Sequence, residues 1–195
     1  MGVRLPHDAP LAIKIEHQIF TIGYAGIRLP QFIDILLKNK VNVLIDVRSV
    51  PRSQYFSQFN DTNLSKILPK HNIRYLNFKN EFGARQENLD FYTGGILDYE
   101  IFAASPQFQS GVEKVEELLS GGQNICLMCA EIDPINCHRA ILCGKELHAN
   151  GLAVKHIIAK RDGTILNEDQ KGLENRLLRL GTTYKKQNLK IGFKK

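Results

Sequence analysis

Short β-branched segments alternate with amphipathic segments along most of the chain. Residues 29–40 place apolar side chains at helical spacing, and residues 41–48, which follow directly, are apolar on both faces of a strand. Strands that are apolar on both faces are typical of buried parallel sheets, and their alternation with helices is typical of the α/β class. The pattern predicts a three-layer α/β fold with helices on both faces of a mostly parallel sheet of about five strands.

The same pattern predicts the order of the elements. Strands are expected over residues 19–23, 41–48, 73–78, 123–129 and 154–159, and helices over residues 29–40, 63–68, 106–120, 134–150 and 169–180. Two helix starts, Ser105-Pro106 and Asp133-Pro134, combine a capping side chain with a first-turn proline. Residues 79–104, which three glycines interrupt, are expected to form a lid or a small helical insertion.

Length and charge define the domain. A chain of 195 residues with 43% hydrophobic and 24% charged residues is long enough for one folded domain and is not a disordered protein. We expect a single domain over residues 18–180, an N-terminal extension over 1–17 and a basic C-terminal tail over 181–195. The tail carries five lysines and no acid, so it accounts for most of the net charge of +6. We expect it to be solvated and frayed.

The cellular setting is predicted from what the sequence lacks. Its longest apolar stretches are far shorter than the roughly 20 residues of a membrane-spanning helix, and its first ten residues contain no hydrophobic signal core. Four cysteines without a secretory signal indicate free thiols in a reducing compartment. We therefore expect a cytoplasmic protein that does not bind membranes.

Polar residues gather where the predicted strands end. In an open α/β sheet, ligands bind beyond the carboxyl ends of the strands. The sequence places Tyr24 after the first strand, Asp46 and Arg48 at the end of the second, and Cys129 and Glu131 at the end of the fourth. The helix that follows would add Cys137, His138 and Arg139 in its second turn. We expect these strands to be neighbours and the residues to form one site.

Two interpretations of the arginines are open. Asp46 and Arg48 are two residues apart on a strand, so they point to the same face and can form an ion pair that orders the next loop. Alternatively, Arg48, Arg52 and Arg139 form a clamp for an anion, since a guanidinium binds phosphate or carboxylate through two parallel hydrogen bonds. A helix N-terminus at Asp133-Pro134 would favour the same anion.

The cysteines are expected to differ in role. Cys126 and Cys137 are predicted to be buried and inert, whereas Cys129 ends a strand near a helix N-terminus and arginines, which lower the pKa of a thiol. Cys129 is a candidate nucleophile, with Glu131 or His138 as its base, and Glu131 or Asp46 is a candidate general base. A zinc site formed by Cys126, Cys129, Cys137 and His138 is disfavoured, because residues three apart in a strand face opposite ways. We expect no metal and no cofactor.

These strand ends resemble the motifs of the DUF488 family. The matching residues are Thr21-Ile-Gly-Tyr24, Asp46-Val-Arg48, Cys129-Ala-Glu131, Asp133-Pro134 and Cys137-His-Arg139. The resemblance covers roughly residues 18–160. It implies a compact α/β domain with a shared polar site, and it implies no particular reaction.

Two classes of function follow from these residues. The first is an enzyme for a phosphorylated, nucleotide-like or nucleic-acid substrate. It would use Asp46, Cys129, Glu131 and His138 for catalysis, and Tyr24, Arg48, Arg52 and Arg139 for substrate binding. The second is a non-catalytic module that binds a nucleotide or nucleic acid through the same arginines and the lysine tail. A nearly neutral body argues against extensive contact with duplex DNA. A pocket in which a carboxylate faces a thiol would favour the enzyme, and a shallow basic groove would favour the module.

Overall fold

The strands that are apolar on both faces lie in the middle of a six-stranded sheet, in a computed structural model that describes residues 18–192. The sheet order is β3-β2-β6-β1-β7-β8, and β4 and β5 form a separate hairpin. In chain order the strands are β1 (Gln18–Gly23), β2 (Val43–Asp46), β3 (Arg74–Asn77), β4 (Tyr92–Thr93), β5 (Ile96–Leu97), β6 (Ile125–Cys129), β7 (Ala153–Ala159) and β8 (Ile165–Asp169).

Helices connect the parallel strands and cover the sheet. They are α1 (Leu29–Lys38), α2 (Asp61–Ile67), α3 (Lys79–Phe82), α4 (Tyr99–Ala103), α5 (Pro106–Ser120), α6 (Lys145–Ala149), α7 (Gln170–Arg179) and α8 (Tyr184–Ile191), with a π-helix over Arg139–Gly144 before α6. No helix within residues 18–192 combines the length and the apolar character that crossing a membrane would need.

Alternate residues of β1 point into two separate cores. Phe20 packs with Phe32 of α1 on one face of the sheet, whereas Ile19 packs with Val115 of α5 on the other. The expected three-layer α/β architecture is therefore confirmed. The first, second and fourth predicted strands, which are β1, β2 and β6, are adjacent and parallel, and this adjacency brings their carboxyl ends to one edge.

The sheet has one strand more than the sequence pattern predicts. β8 pairs antiparallel with β7 at the edge of the sheet, and all its residues but Glu168 are exposed. An edge strand with little burial has no need of apolar alternation, so the hydrophobic pattern gives no sign of it. The segment 79–104 consists of α3, the β4–β5 hairpin and α4, with Phe82 and Phe102 fully buried in the core.

The single helix expected over residues 134–150 is wrong. Asp133 caps only a short 3-10 turn, Pro134–Asn136, and Cys137 then has an extended backbone with φ −137° and ψ 133°. Helical structure resumes as the π-helix at Arg139. Because Cys137 interrupts the helix, it lies at the start of the π-helix instead of on the face of a continuous one.

The basic C-terminal segment is ordered as far as it is described. α8 buries Gln187 and Asn188. Gln187 Nε2 donates to the Ile135 carbonyl at 3.0 Å, and Asn188 Nδ2 donates to the Leu97 carbonyl at 3.1 Å. The structure thus differs from the expectation of a frayed tail, because polar side chains between the lysines hold the helix to the domain.

Removal of α8 is expected to destabilise the domain. Ending the chain at Thr182 leaves the carbonyls of Ile135 and Leu97 without their donors and exposes apolar surface. We expect the free energy of unfolding to fall by about 2–4 kcal/mol, measured by chemical denaturation. The matched control replaces Lys186 and Lys190, which are exposed, with glutamine and should change stability by less than about 0.5 kcal/mol. Equal stability of the truncated and full chains would contradict this role.

His156, a residue of β7, is fully buried in its neutral form. Its Nε2 donates to Gln170 Oε1 at 2.8 Å, so its Nδ1 accepts from the Thr21 hydroxyl at 2.9 Å. Burial, with the nearby charge of Arg139, lowers the pKa of His156 to about 4. Between about pH 4 and 6.5, His156 therefore stays neutral in the folded state but is protonated in the unfolded chain, where a histidine has a pKa of about 6.5.

This shift predicts a loss of stability in mild acid. Stability from His156 is complete above pH 6.5 and declines as the pH falls toward 4, by about 2–3 kcal/mol. In His156→Gln, the difference in unfolding free energy between pH 7 and pH 4.5 should shrink by about that amount. The exposed His148 provides the control, since His148→Gln should leave the difference unchanged. If His156→Gln and the wild type showed the same difference between pH 7 and pH 4.5, the loss of stability in acid would not come from His156.

Candidate functional site

The ends of β1 and β6 run together at the carboxyl edge of the sheet. The backbone N–H groups of Tyr24 and Ala25 donate to the carbonyls of Cys129 and Ala130 at 3.2 and 3.0 Å. A Cβ at Gly23 would lie 1.7 Å from the Glu131 carbonyl oxygen, so only glycine allows this approach. The pairing therefore continues beyond the strands and fixes Tyr24 beside Cys129 and Glu131.

Asp46 and Arg48 form the buried ion pair that was one of the two interpretations. Arg48 Nε donates to Asp46 Oδ1 at 2.8 Å and Nη2 donates to Oδ2 at 2.5 Å. The Tyr75 hydroxyl donates to the same carboxylate at 2.7 Å, and Arg48 also donates to the Phe59 carbonyl at 2.8 Å. Burial alone would lower the pKa of Arg48, but the hydrogen bonds and charge of Asp46 more than offset this and raise it.

Arg48 also positions Tyr24. Its Nη1 donates to the Tyr24 hydroxyl oxygen at 3.1 Å, and the Tyr24 ring stacks on Phe59 with 4.4 Å between ring centroids. Because the hydroxyl oxygen accepts from a guanidinium, its own proton is left to donate elsewhere. Burial raises the pKa of Tyr24 and keeps that proton in place.

Cys129, Glu131, Cys137 and His138 form the thiol cluster. Glu131 Oε2 lies 3.1 Å from Cys129 Sγ and 2.9 Å from Cys137 Sγ. His138 Nδ1 lies 3.9 Å from the first sulfur and 4.0 Å from the second. Both cysteines and His138 are buried, and Glu131 is partly exposed. The interruption of the helix at Cys137 is what turns its side chain toward Cys129.

The surroundings shift the pKa values of the two thiols in opposite directions. Burial opposes ionisation of Cys137, but a hydrogen bond from Cys129 and the charges of Arg139 and His138 lower its pKa well below the usual value. The hydrogen bond to Cys137, together with burial, raises the pKa of Cys129, so the expectation that its surroundings lower this pKa is wrong. Burial also raises the pKa of Glu131. A carboxyl group with a raised pKa is typical of acid–base catalysts.

The arginine clamp is not assembled. Arg139 is fully buried, and its guanidinium donates to the carbonyls of Glu131 and Ile132 at 2.6 and 3.1 Å. Arg52 is 70% exposed and lies 3.4 Å from Asp61. Arg48 forms its ion pair with Asp46. The three arginines that the clamp interpretation placed around one anion therefore have three separate sets of partners.

Cys126 and Cys129 do face opposite sides of the sheet. Cys126 belongs to the core beneath α1, and Cys129 to the core beneath α5. The donor atoms of Cys129, Cys137 and His138, however, all lie within 4.8 Å of one another. The opposite orientations of Cys126 and Cys129 exclude Cys126 from the four residues weighed as a zinc site, and the other three remain together.

A pocket of about 180 Å³ opens above the thiol cluster. Arg85 at its rim is exposed and forms no ion pair with any residue in the described part of the chain. The backbone N–H of Arg85 donates to the Ser49 hydroxyl at 2.8 Å, which ties the rim to the loop after β2. The lining residues are Tyr24, Arg48, Ser49, Val50, Ala84, Arg85, Cys129, Ala130, Glu131 and His138.

Sequence reasoning missed Arg85 and Ser49. Arg85 lies in the segment 79–104, where short helices and a hairpin replace the regular pattern, and no local motif marks it. Ser49 follows directly after Arg48 and could have been included on position alone. Of the predicted residues, the structure brings Tyr24, Arg48, Cys129, Glu131 and His138 to the pocket and leaves Asp46 beneath it.

These features define an α/β domain with a thiol–carboxylate site at the carboxyl edge of a parallel sheet. The family model described as "Domain of unknown function DUF488" matches residues 28–145, more than half of the chain. The chain belongs to this family. No curated protein and no solved structure matches the chain.

Proposed function

We propose that this protein is an enzyme that acts on a small phosphorylated or nucleotide-like substrate in the pocket above the thiol cluster. The observation that carries the proposal is the Glu131 carboxylate, which lies within 3.1 Å of two thiol sulfurs beside the pocket. A carboxylate with a raised pKa that faces thiols beside a pocket is an arrangement typical of active sites.

Glu131 is the group best placed to move a proton. Asp46, the other candidate base, is fully buried and already accepts from Arg48 and Tyr75. Glu131 is partly exposed, lines the pocket and has a raised pKa. It can therefore accept a proton from a bound substrate or water and return it to a leaving group.

The remaining polar groups suit an oxygen-rich substrate. The Tyr24 hydroxyl has a proton to donate, because its oxygen accepts from Arg48. Arg85 at the rim can form paired hydrogen bonds to a phosphate or carboxylate. Pockets for whole ligands are commonly about 300–1,000 Å³, so a pocket of about 180 Å³ admits the reacting end of a molecule or a small molecule alone.

The alternative of a non-catalytic binding module has weaker support. Such a module was expected to use Arg48 and Arg139, but both donate to partners within the domain. Its surface would have to use other cations, such as the exposed Arg85.

A thermal-shift screen tests the proposal. The panel contains nucleotides, sugar phosphates and short oligonucleotides. A ligand at 100 times its dissociation constant stabilises the folded state by about 2.7 kcal/mol, and we expect this from a small phosphorylated compound. Arg85→Ala should abolish the response.

Arg74 provides the matched control for Arg85. It is an exposed arginine at the opposite, amino end of β3, so Arg74→Ala should leave the response unchanged. Stabilisation by oligonucleotides alone would favour the binding module. A response that Arg85→Ala leaves intact, or the absence of any response, would contradict a substrate site at this pocket.

A further inference from the structure

The thiol cluster has the donor set of a transition-metal site. Two cysteine sulfurs and one histidine nitrogen lie within 4.8 Å of one another, and each is buried. At tetrahedral angles, bonds of about 2.3 Å to sulfur and 2.0–2.1 Å to nitrogen place a sulfur and a nitrogen about 3.6 Å apart. The observed distances from His138 Nδ1, 3.9 and 4.0 Å, need only a few tenths of an ångström of contraction.

The orientation of His138 suits a metal ligand. Its Nε2 lies 2.9 Å from the carbonyl oxygen of Val47, and a carbonyl oxygen can only accept. In the neutral ring, the form that binds a metal, the proton is therefore on Nε2, and the Nδ1 lone pair is directed at the two sulfurs. Metal-binding histidines typically donate their second N–H in this way.

The charges around the cluster also favour a divalent cation. Arg139 is fully buried and forms no ion pair with any residue between 18 and 192. Two thiolates and the Glu131 carboxylate would carry three negative charges, which Arg139 and one divalent cation together balance. Neither charge type is then left uncompensated in the interior.

We propose that Cys129, Cys137 and His138 bind one zinc ion, with its fourth coordination position open to the pocket beside Glu131. Two thiolates and an imidazole form a donor set suited to zinc, and three protein ligands with one open position are typical of catalytic zinc sites. Cys129 and His138 line the pocket whereas Cys137 does not, so the open position faces the substrate. Binding releases the thiol protons to solvent.

The catalytic role of this zinc ion rests on the proposed function, which the inference deepens. Zinc at this site would polarise a substrate oxygen or bound water. Glu131, which is not a ligand in this assignment, would accept the proton. The metal itself can be tested without any substrate.

Metal content of the untagged full chain tests the inference. After incubation with zinc and removal of the excess, we expect about one zinc ion per chain by elemental analysis. Cobalt in its place should give the intense near-ultraviolet absorption of thiolate-to-metal charge transfer. Cys137→Ser and His138→Asn should weaken zinc binding by more than about 100-fold, since loss of even an outer partner costs about 10–100-fold.

Cys126→Ala is the matched control. Cys126 lies in the same strand as Cys129 but faces the opposite core, so its removal should leave zinc content and the cobalt spectrum unchanged. Wild-type protein without zinc or cobalt charge transfer would overturn the inference, even where the ligand variants fail to fold. Equal zinc content in Cys126→Ala, Cys137→Ser and the wild type would do the same.

The two proposals can fail separately. Turnover by wild-type protein that binds neither zinc nor cobalt would overturn the zinc site and leave the enzyme proposal standing. A stoichiometric zinc site in a protein that neither binds nor converts any phosphorylated compound would support the zinc site and overturn the enzyme proposal.

Discussion

Replacement of Arg48 with alanine is expected to lower the free energy of unfolding by about 3–5 kcal/mol, because it leaves the fully buried Asp46 carboxylate without its cation. The variant also loses the hydrogen bonds to the Phe59 carbonyl and the Tyr24 hydroxyl. Chemical denaturation at pH 7 measures the change. Arg48→Lys should remain strongly destabilised, since an ammonium group cannot reproduce the paired hydrogen bonds to the carboxylate.

Arg52 is the control for this prediction. Its side chain is 70% exposed and its contact with Asp61 is 3.4 Å, so Arg52→Ala should change stability by less than about 1 kcal/mol. A small loss of stability in Arg48→Ala would mean that the ion pair does not order the carboxyl edge. The position of Tyr24 in the pocket would then need another explanation.

The substitution Glu131→Gln is expected to reduce turnover by about 100- to 10,000-fold, the contribution of a general acid–base group. Glutamine has nearly the same shape, but it cannot accept a proton. Stability should change by less than about 1 kcal/mol, because burial already disfavours the charged form of Glu131 and raises its pKa. Rates with any compound that stabilises the wild type provide the measurement.

Glu81→Gln is the corresponding control. Glu81 lies on α3 and pairs with Lys114 at 2.7 Å, away from the pocket lining. It should retain wild-type turnover. Full activity in Glu131→Gln would remove Glu131 from the catalytic assignment.

The central sheet could be predicted because burial leaves a strong pattern. The segment from Val43 to Asp46 is buried at every position, and so is the segment from Ile125 to Cys129. Such strands are apolar along almost their whole length, which distinguishes them from amphipathic helices, where apolar and polar faces alternate. β8 could not be found this way, because its stabilisation comes from backbone pairing with β7 and not from apolar side chains.

The candidate site was only partly predictable for a related reason. Tyr24, Arg48, Cys129 and Glu131 could be found because parallel strands must end at one edge. The orientation of Cys137 depends on its own extended backbone after a 3-10 turn. The Asp133-Pro134 signal does not distinguish such a turn from the start of a continuing helix. The partners of Arg139 are backbone carbonyls, and no sequence pattern identifies them.

The placement of Arg48 shows why residue type alone did not decide its role. An arginine two residues after an aspartate can bind a ligand or the aspartate, and both uses need the same spacing. The surroundings decide between them here, because Tyr75 and the Phe59 carbonyl complete a closed set of hydrogen bonds. Tyr75 lies 29 positions beyond Asp46 along the chain, so only the fold brings these groups together.

Comparative metabolite profiling tests the central claim, that the pocket above the thiol cluster is an active site. Wild-type protein, Glu131→Gln and Cys126→Ala are each incubated with a mixture of phosphorylated metabolites, and mass spectrometry follows every compound. We expect that wild type and Cys126→Ala consume at least one compound and that Glu131→Gln does not. Consumption of the same compound by Glu131→Gln at the wild-type rate, or no consumption by the wild type, would contradict it.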